Sequence, residues 1–285
     1  VLLVLYQNGV DMPFASSDGV KLFYEVTGHG PAIVFLHEFA GDYRNWTSQV
    51  RSLSQPFRCI TFNARGYPPS DVPDDIESYS HVHAVEDIAS VLRAAGVSNA
   101  HIVGLSMGGY AALCFAIAHP EMTRSIVAAA VGHGSDAPEQ FRGASEALST
   151  RILTEGLDVG AADYLNGPIR RKLKEKDPRG FDEFIRQFAE HSAIGTALTA
   201  RGCQMRRPTL YELEAPLREL KAPALIVAGD DDEPCLAPSL FLKRTIPNAR
   251  LWVLPNTSHA INLEEPGAFN CAVLDFINHV ERQEG

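Results

Sequence analysis

The stretch Asn99-Ala-His-Ile-Val-Gly104-Leu-Ser106-Met-Gly108-Gly-Tyr-Ala-Ala-Leu113 restricts the fold more than any other part of the chain. It reads as a buried strand, a sharp Gly-x-Ser-x-Gly turn and then a helix. That order lifts the Ser106 hydroxyl onto a strained corner that a base and a substrate can both reach. A side chain at Gly104 or Gly108 would collide with the neighbouring strand or helix. The small run Gly109-Tyr-Ala-Ala lets the helix lie close on the sheet. The bare string is common in proteins, but between this strand and this helix it points to a serine nucleophile.

Strand and helix patterns alternate on both sides of that corner. Val20–Val26 alternates like a half-exposed strand and is turned by Gly28-His-Gly-Pro31. Ala32–Leu36 is continuously apolar, as a strand buried on both faces should be. An amphipathic stretch at 43–54 precedes a strand from Phe57 to Phe62, and a helix over 79–95 is capped by Ser80. Arg124–Ala130 is a further buried strand. From Ser135 to Leu220 no strand pattern appears, only short helical ones broken by Gly156, Gly160, Pro178 and Gly202. Strand character returns at Ala222–Ala228, a helix follows over Pro238–Thr245, then a last strand at Arg250–Leu254 and a closing amphipathic helix at 264–281. This alternation predicts an α/β fold with a doubly wound, mostly parallel sheet. Residues 1–134 and 221–285 would form its core, and 135–220 an inserted helical cap across its top.

A chain of 285 residues suffices for one such domain with length to spare for the insertion. The net charge of −10 argues against a nucleic-acid or anionic-membrane surface. The basic run Arg170-Arg-Lys-Leu-Lys-Glu-Lys176 reads as a solvated helix face. Cys59, Cys114, Cys203, Cys235 and Cys271 are odd in number, scattered and without a C-x-x-C pair, which predicts a reduced, cytoplasmic protein lacking disulfides and zinc. Val1-Leu-Leu-Val-Leu5 is too short for a signal-peptide core, and Met12 offers an alternative start. No segment approaches the roughly 20 apolar residues of a membrane span.

A nucleophilic serine needs a base within hydrogen-bond reach, and the base needs an acid to fix its tautomer. Both follow predicted strands downstream, in Gly229-Asp-Asp-Asp232-Glu-Pro and in Pro255-Asn-Thr-Ser-His259. Catalytic groups of open α/β sheets gather at the carboxyl ends of strands. Ser106, Asp232 and His259 therefore come to one place, in the order Ser…Asp…His. Asp230 or Asp231 would serve as the acid if the turn were tighter, and Asp136 is a weaker candidate after the preceding strand. His81-Val-His83 has metal-compatible spacing but no carboxylate or cysteine partner. His37-Glu38 begins like a zinc-protease motif yet has Gly41 at the second histidine position, so no metal is expected.

Together these motifs, from about Asp18 to Val280, resemble the α/β-hydrolase fold, and in particular its cap-bearing small bacterial esterases, lactonases and C–C hydrolases. The resemblance implies Asp232 as the acid of a Gly-x-x-Asp motif, and matches His259 with the following Glu264-Glu265-Pro266. Ser106 separates the chain from related dehalogenases and epoxide hydrolases, which place Asp there. His37-Glu38-Phe39 falls where relatives carry His-Gly-x, so the N–H of Phe39 is implied in the oxyanion hole, joined by that of Met107. His37 would orient this loop.

Glu38 departs from the family glycine and sets a carboxylate beside the oxyanion site. Arg65, in Asn63-Ala-Arg-Gly-Tyr-Pro-Pro-Ser70, is expected to neutralise it, unless Glu38 stays protonated or contacts substrate. Arg170, Arg171 and Arg206 are candidates to hold a substrate carboxylate. Phe141, Ile152, Leu157, Tyr164, Leu165, Phe184 and Phe188 suit a pocket wall or the insertion's own core equally well. The reading is a cofactor-free serine hydrolase of a small carboxylic ester or lactone, acting on a small-molecule substrate, with homodimerisation open. C–C hydrolysis, thioester cleavage or oxygen chemistry on the same triad, and a slow-turnover ligand receptor, are the alternatives.

Overall fold

A computed structural model describes residues 13–284 of the chain; Val1–Leu5 and Met12, considered above for a leader and a start, lie outside them. Strands β1 (Phe14–Ser17), β2 (Val20–Thr27), β3 (Ala32–Leu36), β4 (Arg58–Phe62), β5 (Ala100–Leu105), β6 (Thr123–Ala129), β7 (Ala224–Gly229) and β8 (Ala249–Leu254) form one sheet. Their order is β1-β2-β4-β3-β5-β6-β7-β8. The β1–β2 and β2–β4 pairs are antiparallel, and every pair from β4 onward is parallel.

Period two decides which core each side chain enters. In β3, Val34 and Leu36 join one core while Ile33 and Phe35 join the other. The continuous apolar runs seen in the sequence are thus two interleaved faces, each covered by helices. Helices α1 (Thr47–Leu53), α2 (His81–Ala94) and α3 (Met107–Ala118) divide between them: α2 and α3 cover the first face, α1 the second. Ser80 caps α2 by accepting from the His83 N–H at 3.1 Å.

All regular structure between β6 and β7 is helical: α4 (Pro138–Glu155), α5 (Leu157–Gly160), α6 (Ala162–Leu165), α7 (Arg171–Lys176), α8 (Pro178–Phe188), α9 (Ala193–Thr199) and α10 (Glu214–Arg218), with short 3-10 and π turns. Ile152, Leu157, Leu165, Leu173, Phe184 and Phe188 build a third core there, which also takes in Ala40 and Ala260 from loops at the end of the sheet. Helices α11 (Glu233–Thr245), α12 (Ile261–Glu264) and α13 (Pro266–Glu284) complete the chain. α11 starts at Glu233 rather than at Pro238, because Pro234 already occupies the first turn. β1 was not anticipated. It pairs with β2 through Asp18-Gly19, both at positive φ (49° and 77°), the Asp-Gly turn that favours tight hairpins.

All five cysteines are unpaired thiols. Among the described residues no helix is long and apolar enough to cross a membrane.

Candidate active site

The turn after β5 puts Ser106 at φ 53°, ψ −110°, a backbone state that a non-glycine residue holds only when its surroundings enforce it. Its N–H donates to Ala129 O at 2.8 Å, and its carbonyl accepts from the Tyr110 N–H at 2.9 Å. A Cβ on Gly104 would lie 2.2 Å from Gly108 O, and one on Gly108 would lie 2.1 Å from Leu36 O. Both are backbone contacts that cannot yield, so strand, corner and helix close only around glycine.

The loops after β7 and β8 deliver Asp232 and His259 to this corner. His259 Nε2 lies 2.8 Å from Ser106 Oγ, and Nδ1 lies 2.9 Å from Asp232 Oδ2. The carboxylate can only accept, so Nδ1 carries the proton and Nε2 is left to receive one from the serine hydroxyl. Burial alone would lower the His259 pKa, but the facing Asp232 carboxylate outweighs it and holds the imidazole above its usual value. Burial likewise works to raise the Asp232 carboxyl, and the opposed His259 together with the Cys235 thiol keeps it below the carboxylate range. Glu264 steadies the His259 loop from beneath, accepting from the N–H of Ser258 at 2.7 Å and of Ala260 at 3.0 Å. The other candidate acids are engaged elsewhere. Asp230 accepts from the Thr257 N–H, Asp231 pairs with Lys172 at 3.0 Å, and Asp136 accepts from the Tyr211 hydroxyl.

The loop after β3 is tied down on several sides. His37 Nε2 accepts from the Ala64 N–H at 3.1 Å, which leaves Nδ1–H to donate to Glu38 O at 2.7 Å. Burial pushes the His37 pKa down to about 4, so this ring is a neutral strut between the β3 and β4 loops. The Tyr67 hydroxyl donates to Phe39 O at 2.8 Å. Among the described residues, neither the Phe39 nor the Met107 N–H donates to a protein acceptor.

Glu38 does not meet Arg65. Arg65 is held by Asp87 through Nε at 2.8 Å and Nη2 at 2.7 Å, and its Nη1 donates to Ser78 O. Glu38 pairs instead with Arg170, contributed by the turn before α7, and each side chain is only 1% exposed. Burial would favour a neutral Glu38, but the Arg170 guanidinium outweighs it and keeps the carboxyl ionised. The basic run is therefore not uniformly solvated. Arg170 is its inward member, with its guanidinium 4.9 Å from the Phe184 ring centroid. Nor is any of the three arginines proposed for a substrate carboxylate free. Arg170 is taken by Glu38, and the exposed Arg171 and Arg206 face Glu175 and Glu77.

Ser106, His259 and Phe39 open together on a cavity of about 670 Å³ beneath the helical segment. Phe141 and Tyr164 line it, whereas Ile152, Leu157, Leu165, Phe184 and Phe188 pack into the helical core. His133, Gln204 and Arg207 also line it and were not anticipated. His133 had a usable signal, since Gly132-His-Gly134 follows β6 as the other site loops follow their strands. Among the described residues one group has metal-compatible spacing: Asp232, Cys235 and His259, with donor atoms within 4.8 Å of one another. Burial beside Asp232 keeps Cys235 a protonated thiol, and the other two residues already bind each other. That donor set fits a hydrogen-bonded chain better than a metal.

A profile of the alpha/beta hydrolase fold matches residues 31–266. A 2-hydroxy-6-oxononadienedioate/2-hydroxy-6-oxononatrienedioate hydrolase from Burkholderia vietnamiensis is 30% identical, over 91% of this chain and 92% of its own. The 3-oxoadipate enol-lactonase 1 of Acinetobacter baylyi is 26% identical, over 92% and 95% respectively. The crystal structure of an enol-lactonase from Burkholderia xenovorans superposes with a TM-score of 0.83 at 24% identity, covering 93% of this chain and all of the other. With sheet order, nucleophile corner and profile in agreement over most of its length, the chain belongs to the alpha/beta hydrolase fold family.

Proposed function

We propose that this hydrolase cleaves a small carboxylic ester or lactone through an acyl-enzyme on Ser106. The observation that carries the reading is the unbroken chain Ser106 Oγ···His259 Nε2 and His259 Nδ1···Asp232 Oδ2, facing a substrate-sized cavity. In this reading Ser106 Oγ attacks the carbonyl carbon while His259 takes the hydroxyl proton. Asp232 stabilises the imidazolium without itself being protonated. The unpaired N–H groups of Phe39 and Met107 receive the oxyanion, a contribution worth about 10²–10³ in rate per donor. His259 then protonates the leaving alkoxide, the C–O bond breaks, and water deprotonated by His259 releases the acid. No step requires a cofactor. The helical segment 135–220 acts as the cap, excluding bulk water and shaping the substrate.

One relative favours a second reading. The Burkholderia vietnamiensis protein is named as a hydrolase of 2-hydroxy-6-oxononadienedioate, a compound without an ester bond, and the same three residues can serve C–C hydrolysis. Hydrolysis of 4-nitrophenyl acetate, butyrate and octanoate, with Ser106→Ala beside the native protein, separates the two. Rapid multiple turnover abolished by the substitution supports the ester reading. A single burst or no reaction on all three esters counts against a simple ester substrate and shifts weight to a lactone, C–C or receptor role.

A further inference from the structure

Four charged side chains line the cavity, and three are already satisfied by protein. Asp136 accepts from Tyr211, while Arg151 and Asp163 pair with each other at 2.6 Å. Arg207 is the exception. Its one hydrogen bond is from Nη2 to the His133 carbonyl at 3.1 Å, and among the described residues no carboxylate pairs with it. Among the described residues, the rings and thiols nearest it carry no negative charge. They are the Tyr110 and Phe141 rings, centred 4.5 and 5.4 Å from its guanidinium carbon, and the thiols of Cys114, Cys203 and Cys235, all pushed upward by burial. The neighbouring imidazoles of His81 and His133 are held low by burial and remain neutral.

Arg207 is half-buried, and a partly desolvated cation without a carboxylate partner is poised to take one from a ligand. The position of Arg207 is set by a local irregularity. After α9 the chain widens into a π turn over Ala200–Met205, a distortion common at functional sites, and Gln204 and Arg207 both come to line the cavity. Stacking on Tyr110 and Phe141 holds the guanidinium before any ligand arrives. Its free N–H groups form a planar fork that matches a carboxylate.

We propose that Arg207 is a carboxylate-binding residue, and that the preferred substrate is an anionic ester or lactone carrying a carboxylate remote from the scissile carbonyl. For which bond breaks, the inference rests on the ester or lactone reading above. For what binds, it rests on Arg207 alone.

The test compares mono-4-nitrophenyl glutarate with its neutral methyl ester, in the native protein, Arg207→Met and Arg206→Met. A charge-assisted hydrogen bond should make kcat/KM roughly 10- to 100-fold higher for the anion in the native protein. Arg207→Met should erase that ratio, and Arg206→Met, altering an exposed neighbour, should keep it. Calorimetric binding of glutarate to Ser106→Ala, with and without Arg207→Met, supplies a readout independent of turnover and should weaken by the same factor. Equal rates for the two esters in the native protein, or a ratio unchanged in Arg207→Met, overturn the anion site and leave the hydrolase reading standing. No hydrolysis of either ester, with glutarate binding lost in Arg207→Met, overturns the ester reading and supports the site. Should Arg207→Met fail to fold, the native ratio still decides.

Discussion

Glu38 and Arg170, 132 positions apart, form an ion pair sealed from solvent between the β3 loop and the helical segment. Glu38 Oε1 and Arg170 Nε and Nη1 have no further protein partner, so each charge depends on the other. Removing one leaves a buried charge uncompensated, a loss of about 3–5 kcal/mol, whereas removing both at similar volume is close to neutral. Glu38→Gln or Arg170→Met alone should therefore lower the thermal midpoint clearly, and the double variant Glu38→Gln/Arg170→Met should recover most of it. Additive losses in the double variant would show that the two side chains act separately.

The acid limb of the activity profile should lie above the ordinary imidazole value of 6.5, because Asp232 raises the His259 pKa. In the proposed mechanism the base is neutral His259, so activity should be full well above its pKa and lost as pH falls through it. Asp232→Asn should move the midpoint of kcat/KM downward and reduce kcat by about 10⁴. A rate flat from about pH 5 to 8 would remove His259 from the mechanism.

Ser106→Ala should abolish turnover by at least about 10³-fold while leaving the fold intact, since the corner is set by glycines and not by the hydroxyl. Gly108→Ala should lower stability together with the rate. Its new methyl meets the Leu36 carbonyl at 2.1 Å, so the strand–helix junction must open and the thermal midpoint fall. Circular dichroism melts beside rates distinguish the two outcomes.

Arg65 is a buried stability residue. It is 4% exposed and held in a fork by an Asp87 that is 1% exposed, so Arg65→Ala should cost about 3–5 kcal/mol in chemical denaturation. A midpoint shift below about 1 kcal/mol would show that the pair contributes no more than a surface one.

The core of this fold was legible because its signals are local. Strand β3 announces itself by five consecutive apolar residues, α2 by the Ser80 cap, and the nucleophile corner by two glycines whose missing side chains are needed within one turn. The meeting of Ser106, Asp232 and His259 was legible too, because strand ends in a parallel sheet share one edge. Partners supplied by the helical segment were not. Arg170 sits in a run that looks solvated, and only the packing of Phe184 and Tyr164 around it makes it the inward member. Arg207 depends on a π turn, which disturbs the helical period on which such predictions rest. Strand β1 was missed because four residues are too few for alternation, although Asp18-Gly19 marks its turn.

His259 enters from the loop between the last strand and the closing helices, 153 residues after the serine it serves. A polypeptide emerging from the ribosome thus exposes the nucleophile corner, the helical segment and Asp232 before it has made His259. Its serine stays an ordinary alcohol until β8 has joined β7 and Glu264 has gripped the loop beneath His259. The order of synthesis delays the reactive state until both halves of the sheet and the helical segment are available to enclose it.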